Sequence, residues 1–180
     1  MARRIIGIVG IAGSGKTIVR QRLIDAHGFK QLSFSAGAKR MLHFGLGMEP
    51  AHIDGDRREF LDPHLCSRSG RELTRSLLDW GRRRVGAELW CNVWRRDAMA
   101  LDGDVLADDV LSSGEAAAVR SLGGEIWKVF RPGLNPADIG TENAQAAIEE
   151  DRLFANATTI TDLIASVDVL VQQVKENGNG

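Results

Sequence analysis

Residues 5–17 read Ile5-Ile6-Gly7-Ile8-Val9-Gly10-Ile11-Ala12-Gly13-Ser14-Gly15-Lys16-Thr17. An apolar run leads into the spacing G-x-x-x-x-G-K-T, the pattern of a strand followed by a loop that wraps a polyphosphate. Glycines at 10, 13 and 15 permit positive φ and let backbone N–H groups approach phosphate oxygens. The helix that follows points its amide-rich N-terminus at the anion. Lys16 brings a cation to the β- and γ-phosphates, and Thr17 supplies a hydroxyl for Mg²⁺. Gly10, Ala12, Gly13, Ser14, Gly15, Lys16 and Thr17 are therefore the candidate ATP-binding residues, with Lys16 also catalytic and Thr17 also a metal ligand. Val19, Leu23 and Ala26 recur at helical spacing after the loop, and Gly28 can end that helix.

Outward from this segment the chain alternates strand and helix. Strands are expected at about 4–9, 29–34, 105–107, 125–130 and 152–155. Helices are expected at about 16–27, 36–46, 113–122 and 161–175, with Gly123-Gly124 closing the third and Leu163, Val167, Leu170 and Val174 on one face of the last. Residues 47–69 read as loop with short helical pieces. A long helical stretch follows from about 70 to 100, with Gly81 and Gly86 as breaks. This order predicts an α/β fold, a mostly parallel central sheet with helices on both faces. In such a fold the site lies at the carboxyl ends of the strands. One domain over 1–175 is expected, with a helical insertion at about 36–101, a lid loop at about 131–150 and a disordered tail at 176–180.

Hydrophobic content of 43% and charged content of 26% belong to a soluble globular chain. No apolar run approaches the length of a membrane span, so no membrane partner is expected. Met1-Ala2-Arg3-Arg4 leads straight into the first strand, too short for a signal peptide, and a cytoplasmic location follows as the expectation. Cys66 and Cys91 do not form a metal-ligand spacing, and the four histidines are scattered, which argues against zinc. Charge is unevenly placed: residues 57–96 hold ten Arg against five acids, so an anionic partner is expected there.

Two further sets of residues complete a candidate site. Val105-Leu106-Ala107 ends in Asp108-Asp109. An acid at a strand end suits a magnesium ion, so Asp108 is the candidate metal ligand and Asp109 the candidate base or acceptor-orienting group. On a helical wheel Arg71, Arg75 and Arg82 fall at roughly 0°, 40° and 20°, while Leu73, Leu77 and Trp80 lie at roughly 200°, 240° and 180°. Three guanidinium groups thus share the face opposite an apolar one, as phosphate capture requires. Glu72 and Asp79 lie off the arginine stripe. Arg131, before Pro132-Gly133, stands where a closing lid could neutralise the transferring phosphoryl group. Phe34, Trp80 and Trp90 are the aromatic candidates for base stacking, Trp80 being better suited to the core.

The order of these motifs resembles the deoxynucleoside monophosphate kinases of bacteriophages. The likeness rests on the P-loop, Phe34-Ser35-Ala36 with Lys39, Arg71-Glu72-Leu73, Gly81-Arg82 with Trp90, Val105 to Val110 with Glu115, Leu122-Gly123-Gly124-Glu125 and Arg131-Pro132-Gly133. It implies a P-loop kinase-type three-layer fold and transfer of the ATP γ-phosphate, with Mg²⁺, to a deoxynucleoside monophosphate. It also implies that Lys39, Arg71 and Arg82 face the acceptor and that Arg131 serves the phosphates; Arg75, from the helix face, and Phe34, as a stacking aromatic, complete the acceptor-binding candidates. If a phage encodes the chain, the host cytoplasm is its location. Two departures stand out. Leu111 occupies the place where the family has Arg, and the segment Thr74 to Asp79 runs one residue shorter than its counterpart. Drift confined to the acceptor side raises a second acceptor, the hydroxymethyl group of 5-hydroxymethyluracil within DNA, which the Arg-rich middle would suit. A third reading is a nucleotide-binding module without kinase activity. Oligomeric state is left open by the sequence.

Overall fold

The computed structural model describes residues 3–134, 145 and 147–177. The chain divides into two compact units, one of Met1–Ser33 with Arg95–Gly180 and the other of Phe34–Trp94.

The first unit is built on a parallel sheet in the order β2-β5-β1-β6-β7. Its strands are β1 (Ile5–Val9), β2 (Lys30–Gln31), β5 (Val105–Ala107), β6 (Glu125–Phe130) and β7 (Arg152–Ala155). All five residues of β1 are buried, as befits the central strand of a sheet covered on both faces. Ile6 and Ile8 project into a core with Val19 and Leu23 of α1 (Lys16–His27). Leu163, Val167 and Val171 of the last helix, α7 (Ile160–Asn177), join the same core, together with Trp127 and Phe154. On the opposite face Gly7 makes room for helix α6 (Ser113–Ser121): a Cβ there would lie 2.8 Å from Ile126 and 3.2 Å from Val119. Ser112 and Glu115 form a capping box at the start of α6. Gly123 closes the helix with φ 76°, as expected from its sequence.

The second expected strand shrinks to Lys30–Gln31, because it pairs only with the three-residue β5, through Lys30 to Val105 and Gln31 to Leu106. In α1 Ala26 is exposed, and the buried stripe is completed by Ile18 and Ile24. α7 runs through Asn177, two residues into the expected tail. The rest of the tail, the side chain of Val174 and most of the expected lid (residues 135–144 and 146) lie outside the described residues.

The second unit contains α2 (Ala36–Leu46), α3 (Pro50–Ile53), a small antiparallel pair of β3 (Leu61–Asp62) and β4 (Arg68–Ser69), and α4 (Gly70–Trp80). Leu42, Met48 and Ile53 form its core with Leu65, Leu73 and Leu77 packed on them. A π-helical turn at Gly81–Val85 and the open residue Gly86 separate α4 from α5 (Leu89–Ala100), so both expected breaks occur. The two-strand hairpin was not expected, since strands of two residues carry no alternation to read.

Candidate active site

The loop between β1 and α1 takes the shape its glycines allow. Gly10 has φ 149°, and a Cβ on it would lie 2.4 Å from the carbonyl oxygen of Val129 on β6. Gly15, with φ 111°, is the N-cap of α1 and offers no side chain to the first-turn amides. The Lys16 and Thr17 N–H groups, which donate to no described residue, are left for an anion, which the helix dipole also favours. Lys16 Nζ donates to the carbonyl oxygens of Gly10 and Ile11, the second at 2.8 Å. Burial pushes the Lys16 ammonium below its usual range, and the nearby Asp108 carboxylate works against that fall.

Asp108 lies one residue past β5, on the same rim. Its Oδ1 accepts from Gln31 Nε2 at 2.9 Å and its Oδ2 pairs with Arg20 Nη1 at 3.2 Å. Gln31 ends the neighbouring strand, and Arg20 lies one turn beyond Lys16 on α1. A mixed set of lysine, carboxylate and exposed Thr17 hydroxyl therefore gathers at the end of the sheet. Thr17 and Asp108 are both hard oxygen donors. With both Asp108 oxygens already engaged, they suit Mg²⁺ held partly through water and phosphate oxygens. Among the described residues no cluster of three or more His, Cys, Asp or Glu forms a separate metal cage.

Asp109 is half-buried and Val110 is fully buried. Leu111 is exposed. Its backbone N–H donates to Glu115 Oε2 at 2.7 Å, so this corner is fastened by the helix cap. Ser112, whose role was not legible in the sequence, is that cap. Arg131 is exposed at the end of β6, and the turn it opens reaches the phosphate loop. Leu134 Cδ2 would stand 3.5 Å from a Cβ on Gly13.

The acceptor-side candidates all belong to the second unit. Lys39 Nζ pairs with Asp54 at 2.5 Å. Arg71, Arg75 and Arg82 are exposed. Arg71 is paired with Glu59 at 2.9 Å, an acid from outside the helix that the wheel could not reveal. Glu72 is occupied by the Ser69 capping box and by Arg68. The Arg75 side chain makes no hydrogen bond or ion pair among the described residues.

Phe34 requires correction as a stacking residue: it is buried and stacks on Trp94, with ring centroids 4.6 Å apart. Trp90 is likewise core, its indole N–H donating to the Leu78 carbonyl at 2.8 Å. Trp80, expected in the core, is 48% exposed. The apolar ridge of α4 runs Leu73, Leu77, Gly81 at i+4 spacing. At its end a Cβ on Gly81 would lie 2.7 Å from the Trp90 ring. Trp90 fills the position that the wheel assigned to Trp80.

Three supporting residues were missed by the sequence reading. Arg20 and Gln31 hold Asp108, and Asn156, just past β7, holds the phosphate loop through the Ser14 carbonyl. A signal existed for each: Arg20 is at i+4 from Lys16, and the other two stand at strand ends on the site's rim.

No protein-family model matches the chain. It is 29% identical over 183 residues to a protein of Acanthamoeba polyphaga mimivirus named "Putative deoxynucleotide monophosphate kinase", covering 91% of this chain and 93% of that one. Among solved structures it is similar to a dephospho-CoA kinase from Campylobacter jejuni (TM-score 0.53, 13% identity, 96% of this chain and 98% of that one). It is also similar to a gluconokinase from Sinorhizobium meliloti 1021 (TM-score 0.53, 13% identity, 97% of this chain and 95% of that one). The fold is that of the P-loop kinases, as the resemblance implied, and its parallel α/β class is the one that the alternation of strand and helix predicted. No described helix is long and apolar enough to cross a membrane.

Proposed function

We propose that the chain is an ATP-dependent kinase that transfers the γ-phosphoryl group to a deoxynucleoside monophosphate. The observation that carries this reading is the conjunction of a formed phosphate loop with near-full-length similarity to the mimivirus protein of that name. In this reading Lys16 exchanges its two loop carbonyls for donor phosphate oxygens. The amides of Gly13, Gly15, Lys16 and Thr17 take the rest of the charge, the Ser14 N–H being donated within the loop to Ile11. Thr17 and Asp108 would hold Mg²⁺, which when bound neutralises charge on the β- and γ-oxygens.

The attacking atom is an oxygen of the acceptor's own phosphate. It is already anionic near neutral pH, so no proton has to be removed. A bond forms from that oxygen to the γ-phosphorus, and the bond from the γ-phosphorus to the β–γ bridging oxygen breaks. The products are ADP and a deoxynucleoside diphosphate. Asp109 accordingly acts as an orienting group rather than a base. Lys39, Arg71, Arg75 and Arg82 bind the acceptor, and Arg131 neutralises the transferring group. The Arg71–Glu59 pair does not oppose this. An exposed ion pair is worth about 0–1 kcal/mol, so Arg71 can trade Glu59 for a phosphate at small cost. The similarity over nearly the whole of both chains favours a free monophosphate over 5-hydroxymethyluracil in DNA.

The test is an acceptor screen with γ-labelled ATP. Each deoxynucleoside monophosphate, and separately a duplex containing 5-hydroxymethyluracil, is offered as the acceptor. Label is expected in one or more deoxynucleoside diphosphates. Label confined to the polymer, or ATP binding with no transfer to any of them, would overturn the proposal.

A further inference from the structure

One peptide of the phosphate loop is held from the sheet by a side chain outside the G-x-x-x-x-G-K-T motif. Asn156 directly follows β7. Its backbone N–H donates to the Phe130 carbonyl at 2.7 Å, so the β6–β7 ladder fixes its position. Its Nδ2 donates to the Ser14 carbonyl oxygen at 2.9 Å. Only the NH₂ end of the amide can serve that oxygen, which settles how the amide is turned. The fit is close: a Cβ on Gly15 would lie 2.8 Å from Asn156 Nδ2. Ser14 is also held elsewhere. Its N–H donates to Ile11 at 3.2 Å, and its side chain is fully buried against Gly10.

The consequence follows from peptide geometry. In a trans peptide the C=O and the next N–H point in opposite directions, and the described chain has no cis peptide. With the Ser14 carbonyl turned to Asn156, the Gly15 N–H is turned the other way. That N–H donates to no described residue. We propose that Asn156 is a positioning residue for the donor phosphates, holding the Ser14–Gly15 peptide so that the Gly15 N–H faces the polyphosphate. This deepens the kinase reading and rests on ATP being the donor. An amide fixed in advance costs no reorganisation when the anion arrives. An aspartate at 156 would set a carboxylate oxygen against the carbonyl and favour turning the peptide over.

The experiment compares the parent chain with Asn156→Asp and Asn156→Ala. Dissociation constants are measured for ATP and for inorganic tripolyphosphate, with KM for the acceptor and the melting temperature alongside. Both variants are expected to bind both ligands about tenfold or more weakly, Asn156→Asp the worse. Acceptor KM should change less than twofold. A residue that merely supported the fold would lower the melting temperature and leave the affinity of folded protein unchanged. Folded variants that bind ATP as tightly as the parent would overturn the inference and leave the kinase reading standing. A parent that binds neither ligand would remove both. Should the variants fail to fold, the labelled parent decides. A through-bond NMR coupling between the Asn156 side-chain nitrogen and the Ser14 carbonyl carbon is expected, and its absence overturns the inference.

Discussion

The phosphate loop and helix α4 both present cations, and they do so in opposite ways. Lys16 is partly buried, bonded to two carbonyls of its own loop, and shifted by desolvation. The arginines of α4 are exposed, and Arg71 leans on a surface glutamate. The first arrangement fixes one charge at one place, because the geometry comes from main chain packed against the sheet. The second offers long side chains that can reach and adjust. A triphosphate tail is the same in every ATP and rewards a rigid cage. An acceptor must be bound and released in every cycle, and it differs from kinase to kinase. Leu111 and the Thr74 to Asp79 segment, where the sequence departs from the phage-type pattern it resembles, lie outside the phosphate-loop motif.

This contrast can be broken by substitution. The largest effect is expected from Lys16→Ala. It should lower kcat by about 10²–10³-fold or more while leaving the melting temperature near that of the parent, because the hydrogen bonds lost are to two carbonyls of its own loop and a desolvated charge goes with them. A coupled ADP-release assay reads the first quantity and calorimetry the second; an unchanged rate would end the kinase model. A middle effect is expected from Arg71→Ala, which should raise KM for the acceptor by about 10–100-fold and leave the dissociation constant for ATP unaltered. If ATP affinity fell equally, the division of labour drawn above would be wrong.

The smallest effect tests the rigidity of the donor side. Asp168 on α7 receives two hydrogen bonds from Arg22 on α1, at 2.8 and 2.7 Å, and lies 2.8 Å from His27. The Arg22 hydrogen bonds, aided by His27, hold the Asp168 carboxyl down from 3.8 to about 2. A carboxylate depressed in the folded state adds stability above its unfolded value, and that stability is lost as pH falls through the folded one. Asp168→Asn should therefore melt below the parent at pH 7. The gap should narrow as pH falls from 3.8 toward 2. A gap independent of pH would show that the clamp acts through packing instead.

Much of the site was legible because its signals are local. A glycine pattern behind an apolar run dictates the loop, and Gly28, with φ 71°, ends the helix where its type allows. Asp108 was legible as an acid at the end of a buried strand. Phe34 and Trp80 were misread for a common reason. A helical wheel or an aromatic residue near a motif says nothing about which neighbour arrives from elsewhere in the chain. Trp90, ten residues on, took the place given to Trp80, and Trp94 covered Phe34. The Glu59 partner of Arg71 and the Asn156 contact with Ser14 span 12 and 142 residues, beyond any periodicity.

By itself, then, the order of residues determined the types of the longer elements, the parallel α/β class and the phosphate-loop motif. Those follow from backbone sterics and apolar spacing within a few residues. Tertiary structure alone decided which side chains are core, which carboxylate steadies which cation, and which amide orients the loop. Those depend on distances between segments that the sheet brings together, and such distances are written in no single stretch of sequence.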